Sequence, residues 1–299
     1  MTDANLDLRE TTAAAVAARI GAEPRSPRTT VIRPIEHAPL LDLRELWHYR
    51  ELLFIFVWRD LKVRYKQTAV GVGWVLLQPL MTMLIFTFFL GRYAKAPTNG
   101  LPYPIFIMSG LLPMILFSSA VSQSSASIVS SSSLVTKVYF PRVLLPLAAA
   151  AVPLVDLMLS FSLLIGLMFY YSMFPSGALI ALAPLFLILA LVGALGIGLF
   201  LSALYVRYRD VPFAIPFFLQ LLPWVSGVYL SLNKLPQHWQ WIFALNPMSG
   251  VVMAWRWVML GQTAPDLGKF ALGCAVAVVL FVFGLVFFKR SEPRFADTI

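Results

Sequence analysis

"SLVTKVYFPRVLLP", Ser133 to Pro146, sets Lys137, Pro141 and Arg142 between two long apolar runs. A short polar turn between segments that can each cross a bilayer belongs at a membrane surface. A spanning helix takes about 20 mostly apolar residues. Working outward from the turn, six stretches qualify: about 70–92, 103–127, 143–172, 178–206, 211–231 and 267–288. The expected fold is therefore an all-α integral membrane protein with six transmembrane helices. Composition agrees, because only 12% of the 299 residues are charged and 59% are hydrophobic. A soluble domain carries about 25% charged residues.

Charge sets the orientation. With the N-terminus inside, Arg59, Lys62, Arg64, Lys66, Lys137, Arg142, Arg207, Arg209, Lys289, Arg290 and Arg294 are cytoplasmic, while Arg92, Lys95, Lys234, Arg256 and Lys269 lie on or towards the outer side. That is 11 cations against 5, setting aside the seven that precede Arg59. The positive-inside rule favours this arrangement, with both termini in the cytoplasm. The net charge of +9 comes from cations at the ends of apolar runs, so it argues against nucleic acid as a partner. Residues 1–42 have no apolar core of the kind a secretory signal needs and read as a flexible cytoplasmic tail; residues 291–299 form a second cytoplasmic tail.

Residues 43–68 precede the first span. On a helix, Leu46, Trp47, Leu53, Phe54, Val57, Trp58, Leu61 and Tyr65 share an arc of about 140°. Arg59, Asp60 and Arg64 argue against a span and for an amphipathic helix lying in the inner interface. A soluble helix packed on a partner is the alternative. Near the other end, "WIFALNPMSGVVMAWRWVML" is apolar, but "NPMSG" breaks it into arms too short to span. A seventh span would also put "KRSEPR" outside. Residues 236–262 are therefore expected to form a re-entrant hairpin on the outer side before the last span. Asn246 and Pro247 would make its turn, and Trp255 would sit at headgroup depth. Arg256 would anchor the hairpin to a headgroup, a neighbouring helix or a substrate phosphate.

Chemistry is sparse. His37, His48 and His238 are not spaced as metal ligands, and Cys274 has no disulfide partner and reads as packing. Asp156, deep in the third span, is either part of a proton relay or a hydrogen-bonding contact to a neighbouring helix, and its lack of nearby titratable partners favours the contact. There is no GxxxxGK[ST] loop, so this chain does not hydrolyse ATP and no cofactor is expected in it. The serines of "SSAVSQSSASIVSSSS" favour close helix packing, as does "GALGIG" at Gly193–Gly198. Two stripes carry more. Trp74, Gln78, Phe88 and Phe89 share one face of the first span, and Phe213, Phe217, Gln220 and Trp224 one face of the fifth. Flat aromatic faces beside amides suit a sugar chain, whose C–H faces stack while its hydroxyls bond. Plain packing explains the stripes equally well.

"RDLKVRYKQTAVGVGWVLLQPL", "KVYFPRVLLP", "VRYRDV" and "LNPMSGVVMAWRWVMLG" together resemble the ABC type-2 polysaccharide and polyol-phosphate export permeases, the membrane subunits that export O-antigen, capsule or teichoic acid. The resemblance covers about residues 43–290. It implies a homodimer in the bacterial inner membrane with two ABC ATPase subunits, which bind the ATP and Mg, and an undecaprenyl-linked glycan as substrate. It assigns residues 69–290 to the transmembrane domain and about 128–140 to a coupling helix, with Lys137, Val138, Tyr139, Phe140 and Arg142 facing the ATPase. Trp58, Arg59, Asp60 and Arg64 fall on the interface helix, and Asn246, Pro247, Trp255 and Arg256 in the outer gate. The family's channel is lined by aromatics of the first and fifth spans, which favours the channel reading of the two stripes. An ABC type-2 exporter of a drug or small lipid would be expected to lack both the interface helix and the amide–aromatic track. A passive channel or receptor would have no use for a docking helix.

Overall fold

The computed structural model describes residues 43–66, 72–175, 177, 179–232 and 235–295. All regular structure among them is helical. The tail 1–42 and the final residues 296–299 lie outside the described residues. The helices are α1 (Leu43–His48), α2 (Arg50–Lys66), α3 (Val72–Phe86), α4 (Tyr103–Ser130), α5 (Ser132–Lys137), α6 (Leu144–Tyr170), α7 (Ala183–Arg207), α8 (Val211–Val225), α9 (Gln237–Ala244), α10 (Pro247–Leu260) and α11 (Leu267–Ser291). Five segments are long and apolar enough to cross a membrane: Gly73–Tyr93, Tyr103–Ser130, Leu144–Tyr170, Leu179–Arg207 and Leu267–Arg294. The chain is a multi-pass membrane protein.

α4 is the hub. It is buried along most of its length and packs on α6, α7, α3, α8 and α10. Its serines explain how neighbours come so close. Ser125, Ser127 and Ser130 bond back to carbonyls three residues earlier in their own helix, and Ser124 donates across to the carbonyl of Pro146 on α6 at 3.2 Å. The glycines of "GALGIG" behave as the sequence suggests. A methyl group at Gly284 on α11 would fall on the backbone of Gly196, and one at Gly198 would lie 2.6 Å from Cβ of Ser124. In lipid, where apolar burial does not drive helices together, such backbone contact and its dispersion energy hold the bundle.

Three expectations need correction. The fifth span does not run to residue 231. Its helix, α8, stops at Val225, and the chain turns at Ser226–Gly227, where Gly227 takes φ +74. Pro216 and Pro223 inside α8 remove two backbone donors, which shortens the run that stays helical. The first span keeps α geometry only to Phe86 and is a π-helix from Thr87 to Tyr93. The wider i→i+5 turn advances each residue by less than 100°, so 3.6-residue periodicity does not fix the face on which Phe88 and Phe89 lie.

The third correction concerns the face that α2 buries against α6. Phe56 packs edge-on against Phe140, 5.4 Å between centroids, near the start of α6. Arg64 pairs with Asp156 at 2.6 Å, twelve residues further along that helix, or about 18 Å at 1.5 Å per residue. α2 therefore climbs alongside α6. Its buried line is Leu52, Leu53, Phe56 and Val57, centred on a residue outside the expected arc, whereas Trp47, Phe54 and Trp58 of that arc are exposed. Apolar side chains occupy two sides of α2: one packs on α6, and the other carries exposed aromatics with Lys62 over the Trp58 ring at 5.4 Å.

Candidate functional site

The groove between α3 and α8, floored by α4, is where the polar residues of the spans converge. It measures about 340 Å³ and is lined by Gln78 and Thr82 of α3, Ser118 and Ser119 of α4, Ser160 of α6, and Gln220 of α8, with Tyr229 beyond it. Two amides that sequence placed on separate spans thus share one cavity. Arg64 and Asp156 also line it. Asp156 is buried, and it accepts a hydrogen bond from the Tyr65 hydroxyl as well as the Arg64 ion pair. Burial, and the bond to Asp156, push the Tyr65 phenol above its ordinary range, so it stays a donor. The structure gives Asp156 a contact to a neighbouring helix, and its partners there, Arg64 and Tyr65, are titratable groups that the sequence did not place beside it.

The aromatics are less gathered. Trp74, Phe88, Phe89, Phe213 and Phe217 are all exposed and none lines the groove. Trp224 lies edge-on to Phe86 at 5.7 Å and to Tyr229 at 4.9 Å, while Phe86 and Tyr229 stack at 3.9 Å; Phe88 contacts Phe89 and Tyr93 instead. Sequence reasoning missed Phe86 and Tyr229. Phe86 is off the chosen face, and Tyr229 follows the end of α8. The exposed aromatic tail of α8 was the available signal.

At the opening turn, α4 ends at Ser130 and a second short helix, α5, ends at Lys137. Lys137, Val138 and Tyr139 are exposed, Tyr139 at 82%. Phe140 is not presented outward: it is buried beside Phe56 in a cluster with Val143, Leu144 and Phe288. Arg142 is turned inward too. Its guanidinium donates to the carbonyl of Glu292, and its backbone N–H donates to the Glu292 carboxylate at 3.2 Å. The turn is therefore held from behind by α2 and by the 3₁₀ turn after α11, leaving three residues free. Beside it, Arg59 pairs with Asp60 at 2.8 Å and reaches Ser131 at 3.4 Å.

Towards the other end, α9 and α10 are two short helices joined at Leu245–Asn246. Asn246 caps α10 by accepting from the Met248 N–H at 3.0 Å, and its amide donates to Ser226. Pro247 occupies the first helical position. Trp255 and Arg256 differ from expectation, because both are buried. Arg256 donates to the carbonyls of Phe106, Gly227 and Val228 at 2.9, 2.7 and 2.8 Å, and its guanidinium lies 3.7 Å from the Phe106 ring centroid. It anchors the hairpin to α4 and to the turn after α8, which is the neighbouring-helix option. Gly110 on α4 makes the room, since a methyl there would come within 2.6 Å of the guanidinium.

Among the described residues no group of His, Cys, Asp and Glu is arranged to hold a metal ion.

Comparison with known proteins places this architecture. Residues 51–260 match the ABC-2 type transporter family, and the chain belongs to it. Family members are membrane components of transporters and not enzymes in themselves. Two relatives are O-antigen export system permease proteins named RfbA. The one from Myxococcus xanthus is 29% identical over 260 residues, covering 86% of this chain and 98% of its own. The one from Klebsiella pneumoniae is 24% identical over 249 residues, covering 83% and 95%. The polysialic acid transport protein KpsM of Escherichia coli is 24% identical over 252 residues, covering 81% and 93%.

Proposed function

We propose that the chain is the membrane-spanning permease subunit of an ATP-driven exporter that carries a lipid-linked polysaccharide across a bacterial inner membrane. The observation that carries this reading is the meeting of Gln78 and Gln220 in one groove between α3 and α8. Amides with neighbouring hydroxyls suit the repeated hydroxyls of a glycan, and lipid alone would not favour them. The relatives' names point to the same substrate class.

Two copies would face each other through the exposed apolar sides of α3 and α8, which carry Leu77, Met81, Leu84, Phe213, Phe217 and Leu221. That pairing would bring the outward aromatics of both protomers onto one shared passage. Lys137, Val138 and Tyr139 would seat on each of two ATPase subunits, which hold the ATP and Mg. An undecaprenyl carrier fits the bacterial setting. α8 would serve as a short, proline-bent fifth crossing, giving six spans with both termini cytoplasmic. α9 and α10 would form the outer gate.

The test is export of the glycan by cells carrying Gln78→Leu with Gln220→Leu. Export is expected to fall while assembly with the ATPase persists. Unchanged export would remove the groove from the pathway.

A further inference from the structure

A second cavity lies at the end of the bundle away from the Lys137–Arg142 turn, between α9, α10 and the start of α11. It measures about 320 Å³, the low end of small-molecule sites, and its walls include Gln240, Met253, Asp266, Lys269 and Phe270. The two charges in it do not neutralise each other. Asp266 uses one carboxylate oxygen to cap α11, accepting from the Lys269 backbone N–H at 3.0 Å. The Lys269 ammonium instead donates to Gln240 Oε1 at 2.7 Å, with the Trp241 ring 5.7 Å away. Among the described residues neither side chain forms an ion pair. An ammonium has three donors, so two of them remain, as does the second carboxylate oxygen of Asp266.

Apolar side chains stand beside these charges: the exposed Trp241 ring lies 5.7 Å from the Lys269 ammonium, and the exposed Leu267 follows Asp266 at the start of α11. Tryptophans concentrate at headgroup depth, where their rings are apolar on one side and wet on the other. A cation and an anion held apart in one small cavity, beside an exposed Trp and Leu suited to acyl chains, match a ligand with both charges and a lipid body.

We infer that this cavity binds the headgroup of a zwitterionic aminophospholipid. The lipid phosphate meets the Lys269 ammonium, its amine meets the free oxygen of Asp266, and its chains lie along Trp241 and Leu267. An anionic lipid would satisfy Lys269 but set a second negative charge beside Asp266. A neutral sugar would leave both charges unanswered. The site lies apart from the groove between α3 and α8, so it stands whether or not the chain exports a glycan.

Native mass spectrometry of the full-length chain in mild detergent tests this, after delipidation and addition of phosphatidylethanolamine or phosphatidylglycerol. Phosphatidylethanolamine should be retained about tenfold or more in preference, the size expected of a charge-assisted bond gained in one lipid and absent in the other. Asp266→Asn keeps the helix cap, because Asn caps as well as Asp, and should abolish the preference. Lys269→Gln should lower retention of both lipids. Equal retention of the two lipids by the unaltered chain would overturn the inference even if a variant failed to fold. Displacement of phosphatidylethanolamine by free galactose would overturn it as well, by making the cavity a sugar site.

Discussion

Replacing Arg256 by Met removes a side chain whose hydrogen bonds tie α10 to both α4 and the turn after α8. The loss can be worked from its partners. The carbonyl of Phe106 also accepts from the Ser109 hydroxyl, so it keeps a partner. The carbonyls of Gly227 and Val228 lie in a buried turn and lose theirs. An unsatisfied buried acceptor costs about 1–3 kcal/mol, so the two together cost about 2–6 kcal/mol. Relief from burying a guanidinium that meets no carboxylate among the described residues offsets part of this. The expected net loss is about 2–4 kcal/mol. At about 2–4 °C per kcal/mol for a domain of this size, the melting midpoint should fall by at least about 4 °C. Thermal unfolding of the purified protein, followed by tryptophan fluorescence in detergent, measures it. Arg256→Lys should recover only part, because an ammonium lacks the planar fork that spans several carbonyls. Gly110→Ala should mimic the loss by pushing the guanidinium away. A midpoint unchanged in both Arg256→Met and Gly110→Ala would refute the account of this anchor.

Phe140→Ala should destabilise the chain by about 3–5 kcal/mol, the usual range for a fully buried aromatic, whereas Tyr139→Ala should leave thermal stability unchanged and weaken co-purification with the ATPase. The reverse pattern would mean that Phe140 is the docking residue. Gly284→Ala should prevent accumulation of folded protein, judged by size-exclusion profile, because the backbone of Gly196 occupies the space; normal yield and profile would show that α7 and α11 can separate at little cost. Single cysteines at His238, in the first turn of α9, and at Thr263, after α10, both exposed, should both label from outside with an impermeant thiol reagent. Labelling from opposite sides would convert the hairpin into a true crossing.

The spans were legible because lipid imposes one rule on every residue, and runs such as 178–206 and 267–288 satisfy it without reference to their neighbours. The break at Asn246 and Pro247 was legible because the turn chemistry there is local. What sequence could not supply was partnership across the chain. Phe140 looks like a docking residue until Phe56 is found beside it, 84 positions earlier. Arg256 looks like a headgroup anchor because its acceptors are backbone carbonyls, which every residue possesses. The switch from α to π geometry at Thr87 broke the phase on which Phe88 and Phe89 were placed, and no side chain there announces it. Gln78 and Gln220 were singled out correctly as unusual, yet only the fold put them in one groove.

The most direct measurement is ATP-driven movement of a radiolabelled lipid-linked glycan into inverted inner-membrane vesicles that contain this chain and its ATPase partner. The account predicts that labelled glycan becomes protected in the vesicle lumen only when ATP is supplied, and that Gln78→Leu with Gln220→Leu abolishes protection while ATP is still hydrolysed. An assembled, ATP-hydrolysing complex that protects no glycan, or one that protects it equally well without the two amides, would contradict the account.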